Sequence, residues 1–299
     1  MHIPDGFLSP PVWVTLDVAS AAGVAVAARR AQQESSGQHQ VPLLGVMGAF
    51  VFAAQMINFP VGLGTSGHLL GGALLAIVLG PSAAVVVMTA ILAVQAFVFQ
   101  DGGILVLGAN VFNMALAGVA AGYLPYRMAG VRWRTGSIFC AGALSVLVSA
   151  CLALSELLIS GVIMPRRMLA VSLALFAVSA ILEGVITVAA IRAIERLQPV
   201  RAPVISRSRV VGAVGIAAVA LAAFGLLIAS ASPDGIEHLA AQLGLAHTPA
   251  WLHAPLAGYD ASVPGPAWMR KTAAGLMGML LIYVVSLAAG RFLSRQRNA

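Results

Sequence analysis

The chain of 299 residues is 60% hydrophobic and only 9% charged. A soluble domain carries about 25% charged residues, so this composition excludes a water-soluble globule of this size. The net charge of +7 does not indicate a nucleic-acid-binding protein, because the basic residues lie singly or in pairs at the ends of apolar segments. The expected fold class is all-α, a polytopic membrane helix bundle, since the alternating pattern of spanning β-strands is absent from the sequence.

Apolar segments predict about nine transmembrane segments. In chain order they cover residues 11–28, 41–59, 68–80, 82–99, 104–124, 137–160, 168–194, 210–229 and 269–293. Most are long enough to cross a bilayer as a helix. The third is short and rich in glycine, which favours a partial or re-entrant segment buried among other helices. The charge of the later loops favours the opposite interpretation, in which it does cross.

The distribution of positive charge orients the predicted bundle. With the N-terminus outside, all but four of the 17 lysines and arginines fall on the cytoplasmic side, the exceptions being Arg166, Arg167, Arg270 and Lys271. Cytoplasmic loops carry an excess of Lys and Arg, so we expect the N-terminus outside and the C-terminus inside. The expected location is the cell's inner (plasma) membrane, as a multi-pass protein in contact with lipid.

A break in composition divides the chain into two parts. The stretch "RLQPVRAPVISRSR" is a basic linker with two prolines, followed by one span, a polar loop and a last span. We place the boundary at Gln198. Residues 1–198 form a seven-span core, and residues 199–299 form a two-span extension with an extracytoplasmic loop at residues 230–267.

The first residues, "MHIPDG", suit a metal chelate. The α-amino group of Met1 and the amide and imidazole Nδ1 nitrogens of His2 can bind one ion in two fused chelate rings. A planar set of four nitrogens, completed by another histidine, suits Ni²⁺ or Cu²⁺. The amine must be free, and we expect this because residues 1–11 lack the basic region of a signal peptide. Pro4 and Gly6 favour a turn that returns the terminus to the bundle. Taken alone, a His at position 2 is more often an accident or a solvated terminus than a metal ligand.

Two glycine-rich stretches complete the candidate site. "NFPVGLGTSGHLLGG" contains His68, an ionisable residue near a membrane boundary, and Thr65 and Ser66, whose hydroxyls can hold a buried turn. "QDGGILVLGANVFNM" contains Asn110, whose amide can orient a histidine. The alternatives are an interfacial histidine satisfied by its surroundings and an amide that ties two helices together.

Together these stretches resemble the CbiM/NikM family, the substrate-binding (S) components of energy-coupling factor (ECF) transporters for cobalt and nickel. The matching motifs are "MHIPDGFLSP", "GTSGHLLGGALLAIVLGP" and "DGGILVLGANVFNMA". They occur in the family's order within residues 1–196. The later "SASPDGIEHLA" resembles the PDGLE-type (CbiN/NikN-like) extension that some members carry fused, with Ile236 where Leu is usual.

The resemblance implies a ligand set and partners. Met1 would supply its amine, His2 its amide nitrogen and imidazole, and His68 the fourth nitrogen, with Thr65, Ser66 and Asn110 supporting the loops. The transported substrate would be Co²⁺ or Ni²⁺, and the sequence does not decide between them. The partners would be a CbiQ/NikQ-like transmembrane coupling subunit and CbiO/NikO-like cytoplasmic ATPases. This chain has no G-x-x-x-x-G-K-[ST] motif, so we expect it to bind no nucleotide and to be no enzyme.

Two other functions are open to a multi-pass membrane protein of this composition. A self-sufficient secondary transporter or channel for divalent metal would be favoured by inverted repeats or a chain of intramembrane charges. A sensor or storage scaffold would be expected to have a cytoplasmic domain or a His-rich tract. Glu183, inside the seventh segment, is expected to make structural hydrogen bonds in a position far from the outer site.

Overall fold

The computed structural model describes residues 1–34, 41–129, 133–197, 205–225, 229–230, 232–243 and 254–295. This part of the chain is almost entirely helical. Its α-helices are α1 (Pro10–Glu34), α2 (Val41–Gln55), α3 (Gly72–Leu79), α4 (Pro81–Val94), α5 (Leu107–Asn110), α6 (Gly118–Met128), α7 (Arg134–Ile159), α8 (Arg166–Leu197), α9 (Ile205–Phe224), α10 (Gly235–Leu243) and α11 (Ala267–Arg295). Strands β1 (Phe59–Gly62) and β2 (Thr65–Gly67) form one antiparallel hairpin.

Long apolar helices make this a multi-pass membrane protein, as predicted. In the described ranges, six helical stretches are long and apolar enough to cross a membrane: Pro10–Glu34, Pro81–Phe99, Leu107–Met128, Arg134–Ile159, Arg166–Leu197 and Ala267–Ser294. Two of them continue through π-helical turns, at Gln95–Phe99 and Val111–Ala117. The predicted second and eighth spans are shorter apolar helices, Val41–Gln55 and Ser208–Phe224.

The predicted third span is α3, a helix of 8 residues. At 1.5 Å per residue it is about 12 Å long, well short of the roughly 30 Å of a bilayer core. Its first five residues are buried among other helices. Gly122 of α6 permits this, because a Cβ there would lie 2.8 Å from the Cβ of Ala73. The helix agrees with the prediction of a partial, protein-enclosed segment.

Helices α7 and α8 pack closely along their lengths. A Cβ at Gly142 of α7 would lie 2.9 Å from both the Glu183 carbonyl oxygen and the Gly184 Cα of α8. Only a glycine allows this approach of the two backbones. At one end of the pair, Arg134 Nη2 contacts Glu195 Oε1 at 2.6 Å. The hairpin packs against α8 toward the other end of the bundle.

The C-terminal segment, which we define as the described residues after 204, packs on the rest of the bundle through α9 and α11. Both helices contact α2. Gly48 of α2 faces α11, where an added Cβ would lie 2.7 Å from Ser286 Oγ. Helix α10 of the C-terminal segment lies against α8 and β2. The predicted boundary at Gln198 and parts of the loop at 230–267 lie outside the described residues.

Candidate metal centre

The N-terminal residues fold back into the bundle, as the Pro-Asp-Gly turn predicted. The turn has Gly6 at φ 87°, a conformation that favours glycine. Asp5 accepts hydrogen bonds from the backbone N–H groups of Ile104 (3.0 Å) and Leu105 (2.9 Å). Ile3 is fully buried. These contacts place Met1 and His2 inside the protein instead of in solvent.

His68 meets the N-terminal amine. Its Nε2 lies 3.1 Å from the nitrogen of Met1, and its Nδ1 lies 3.0 Å from the carbonyl oxygen of Leu69. A proton on Nδ1 donates to that carbonyl and leaves the lone pair of Nε2 facing Met1. Burial, followed by the positive charges of the N-terminus and His2, lowers the pKa of His68 to about 4. The imidazole is therefore neutral and suited to bind a cation.

His2 lies beside His68, and its side chain is only 4% exposed. The two rings stack with their centroids 5.5 Å apart and their planes 12° apart. Nδ1 of His2 is 3.0 Å from Oδ1 of Asp101, yet neither ring nitrogen has a well-aligned hydrogen-bond partner. Buried polar atoms in native proteins usually have partners, so Nε2 of His2 is an exception, whereas Nδ1 is in contact with Asp101.

Asp101 is held from its far side by Tyr259 of the C-terminal segment, whose hydroxyl donates to Oδ2. Burial opposes ionisation of Asp101, but His2 and the hydrogen bond from Tyr259 outweigh it and hold the pKa of this carboxyl well below its usual range. Burial and the charge of Asp101 raise the pKa of the Tyr259 phenol. Asp101 is therefore a carboxylate beside His2.

Asp234, also from the C-terminal segment, contacts the amine of Met1 through Oδ2. Its other oxygen, Oδ1, accepts from the backbone N–H groups of Ile236 and Glu237, both at 2.8 Å. The Glu237 side chain in turn accepts from the backbone N–H of Asp234 at 3.1 Å, which completes a capping box at the start of α10. Burial opposes its ionisation, yet the positive N-terminus and His68 lower the pKa of Asp234.

The remaining predicted residues lie in the loops around the site. Ser66 joins the hairpin to the C-terminal segment, because its Oγ donates to Ser232 O at 2.7 Å and its N–H donates to Pro233 O at 2.8 Å. Thr65 is buried, but its hydroxyl has no hydrogen-bond partner. Asn110 binds the backbone of Ile3 through both ends of its amide. Ser66 and Asn110 thus lock loops, whereas the Thr65 side chain does not hydrogen-bond.

The expectation that Glu183 lies far from the site is wrong. Its carboxylate is completely buried and accepts the backbone N–H groups of Leu70 at 2.7 Å and Gly71 at 2.8 Å. These residues follow His68 directly, so Glu183 holds the turn that presents the histidine. The structural role predicted for it agrees with these hydrogen bonds. Its distance was misjudged because the hairpin and the short α3 fold inward, against α8.

Sequence reasoning missed Asp234 and Tyr259. The signal for Asp234 was the pattern "DGIE", an Asp followed three residues later by Glu, which is typical of a helix N-terminus. That pattern predicts the cap but not the contact with Met1, which is 233 positions away in the chain. No local pattern marks Tyr259.

A cavity of about 370 Å³ lies between the core helices and the C-terminal segment. His68, Asp101 and Asp234 line it on the side of the site, and Glu237 and Lys271 also contribute to its wall. Carboxylates outnumber cations among these residues. The cavity therefore provides space and a favourable charge for a hydrated cation next to His68.

The nitrogen atoms that meet here are the Met1 amine, the His2 imidazole and His68 Nε2. Within the described ranges, no group of three or more His, Cys, Asp or Glu side chains is arranged to hold a metal ion. The main-chain amine of Met1 lies beside His68 Nε2, and its role as a metal ligand stays a prediction. Nitrogen donors of this kind suit Ni²⁺, Co²⁺ and Cu²⁺ better than Mg²⁺ or Ca²⁺.

Comparison with known proteins agrees with the motifs. Residues 2–201 match the CbiM family, described as a cobalt uptake substrate-specific transmembrane region. A putative fused nickel transport protein NikMN of Archaeoglobus fulgidus is 33% identical over 98% of this chain and 99% of its own length. The fused nickel transport protein NikMN of Rhodobacter capsulatus is 45% identical over 40% of this chain and 34% of its own.

Solved structures give the same result. The crystal structure of a truncated transition metal transporter superposes with a TM-score of 0.59 at 32% identity, covering 67% of this chain and all of that one. A second transition metal transporter gives a TM-score of 0.58 at 33% identity over 66% of this chain and 93% of its own. This chain belongs to the CbiM family of substrate-specific transmembrane regions, and the similarity to a fused NikMN protein extends over nearly its whole length.

Proposed function

We propose that this chain is the substrate-specificity membrane subunit of an ATP-driven ECF importer of divalent cobalt or nickel. The observation that carries the proposal is the contact of the Met1 amine with Nε2 of His68 at 3.1 Å, beside the buried ring of His2. The ion would bind the amine, the amide and imidazole nitrogens of His2, and His68 Nε2. The names of the fused nickel and cobalt transport relatives support the choice of substrate.

The spacing of the nitrogens supports a shared ion. Two neighbouring nitrogens bound to one metal at about 2 Å in a planar arrangement lie about 2.8 Å apart. The distance between Met1 N and His68 Nε2 is 3.1 Å, so little movement is needed. The His2 amide must lose its proton on binding, which a strongly bound divalent ion can drive.

The domain and membrane arrangement form part of the proposal. Residues 1–198 would be the metal-binding core and residues 199–299 the two-span extension, with the N-terminus outside and the C-terminus inside. The six long helices, the two shorter apolar helices and the partial helix α3 support this arrangement. Lys271 lines the cavity next to the site. The charge pattern places Lys271 outside, so the site would also lie at the outer face of the membrane.

The partners follow from what this sequence lacks. It contains no phosphate-binding G-x-x-x-x-G-K-[ST] motif, so ATP would be hydrolysed by separate CbiO/NikO-like subunits acting through a CbiQ/NikQ-like coupling subunit. A relative from Methanocorpusculum labreanum, a putative fused cobalt transport protein CbiMQ, supports a coupling partner. The chain itself would bind and release the ion and catalyse no reaction.

Calorimetric titration of the purified chain with Ni²⁺ and Co²⁺ separately tests the proposal. We expect one ion per chain, with binding lost in His2→Ala and retained in His238→Ala, a histidine of α10 outside the ligand set. Adding one residue before Met1 should also abolish tight binding, because it moves the amine. Unchanged binding in His2→Ala would refute the terminal site. Metal uptake by this chain alone, in cells without the ATPases, would favour a secondary transporter or channel instead.

A further inference from the structure

We infer that Asp234 of the C-terminal segment is a positioning residue of the metal site, which holds the Met1 amine where it binds the ion. The inference rests on the proposed function and extends it. It assigns to the C-terminal segment a direct part in metal binding. The ion bound at this site would be a divalent transition-metal ion held by nitrogen ligands.

The carboxylate of Asp234 is fixed from two sides. Oδ1 accepts two backbone N–H groups at the start of α10, and Oδ2 contacts the amine of Met1. The preceding residue, Pro233, accepts a hydrogen bond from the buried Ser66 of the hairpin. The Asp234 side chain is only 12% exposed. A carboxylate so constrained defines a position for the amine.

The contact is compatible with a bound metal. A coordinated amine gives its lone pair to the ion and still carries two N–H bonds, so it can continue to donate to Asp234 Oδ2. Carboxylates and carbonyls that accept a hydrogen bond from a metal ligand orient that ligand and increase its basicity. The Leu69 carbonyl holds Nδ1 of His68 in this way, and Asp234 does the same for Met1.

The charges around the site also support a role for Asp234. Burial of a divalent ion is costly unless negative charge lies nearby, and the imidazoles of His2 and His68 supply none. The carboxylates in contact with Met1 and His2 are Asp234 and Asp101. The first comes from the C-terminal segment, and the second accepts a hydrogen bond from Tyr259 of that segment. The C-terminal segment therefore contributes to the charge around the ion.

Asp234→Asn tests the inference. Asparagine is as good a helix N-cap as aspartate, so the variant retains the start of α10 and removes the charge beside Met1. The matched control is Asp260→Asn, the same change at a half-exposed residue of the same segment that pairs with Arg270 at 2.9 Å. The full-length chain is titrated with Ni²⁺, and the visible absorption of the bound ion is recorded with the thermal midpoint of the metal-free protein.

We expect Asp234→Asn to bind one Ni²⁺ with about 10- to 100-fold lower affinity and with an unchanged absorption band. Asp260→Asn should bind like the original chain. Equal affinity of Asp234→Asn and the original chain would overturn the inference, and so would an equal loss in both variants. Loss of the buried ion pair with Met1 lowers the metal-free midpoint by itself, so the affinities are compared at a temperature where both variants are folded. Loss of binding in His2→Ala upholds the proposed function in each of these cases.

Discussion

Asn110 and Ile3 exchange two hydrogen bonds across 107 positions of the chain. The backbone N–H of Ile3 donates to Asn110 Oδ1 at 2.8 Å, and Asn110 Nδ2 donates to the Ile3 carbonyl at 3.0 Å. The amide side chain thus pairs with the peptide backbone as a neighbouring strand would. The residue that it fixes directly follows His2, so Asn110 sets where the N-terminal chelate lies.

Asn110→Ala is expected to lower metal affinity about tenfold or more, because the buried backbone of Ile3 loses both partners and the terminus is no longer held beside His68. Calorimetric titration with Ni²⁺ or Co²⁺ measures the change. Asn113→Ala is the control: Asn113 is buried in the same helical stretch but donates to Glu156 instead. It should lower thermal stability and leave metal affinity nearly unchanged. Equal metal affinities of the two variants would contradict the prediction.

Glu183→Gln is expected to reduce the free energy of unfolding by about 1–3 kcal/mol. The carboxylate accepts two backbone N–H groups, and a glutamine would turn its own NH₂ toward one of them. Metal affinity should fall as well, since the turn that presents His68 is loosened. Denaturation in detergent and metal titration measure the two effects.

The control for Glu183→Gln is Glu195→Gln, the same change near the C-terminal end of α8. Glu195 pairs with a partly exposed Arg134, and such pairs contribute at most about 1 kcal/mol. Glu195→Gln should therefore leave metal binding unchanged. If Glu183→Gln affected metal binding no more than Glu195→Gln, the turn would not depend on this carboxylate.

Gly103→Ala is expected to displace the N-terminal loop. A Cβ at this position would lie 2.2 Å from Oδ1 and 2.4 Å from the backbone nitrogen of Asp5, and a clash with backbone cannot be relieved by a rotamer change. Metal affinity should fall by about tenfold or more. Gly212→Ala provides the comparison, because the space around that residue of α9 is open. It should bind metal normally and stabilise the helix slightly. Normal binding by Gly103→Ala would show that the loop tolerates displacement.

The orientation in the membrane is tested with reporters at the C-terminus. Since most basic residues fall on one side of the predicted spans, a C-terminal green fluorescent protein should fluoresce and a C-terminal alkaline phosphatase should be inactive. A dark green fluorescent protein fusion together with an active phosphatase fusion would mean that the orientation is the opposite of the one predicted. It would then place the Met1–His68 site on the cytoplasmic side, where it could not capture an ion for import.

The sequence by itself determined the membrane-helix class and the family, and it predicted the N-terminal chelate. Composition and apolar length decide the first, because a bilayer core demands about 20 apolar residues for each helix. The order of the three sequence motifs identifies the family. The chelate could be predicted because its rings close within Met1 and His2, neighbours in the chain. The short length of the third segment is also visible in the sequence, since length and glycine content are local properties, but the sequence leaves open whether it crosses the membrane.

Only the tertiary structure decided what surrounds the chelate. Glu183 belongs to α8 and Asp234 to the segment before α10, yet both reach the neighbourhood of His68. In the sequence, Glu183 is simply a carboxylate inside a span and Asp234 is simply a helix cap. Neither local pattern predicts the distant residue that the side chain contacts. The reason is physical: a buried carboxylate must find donors wherever packing provides them, and the packing of helices distant in the chain is not written in any local pattern.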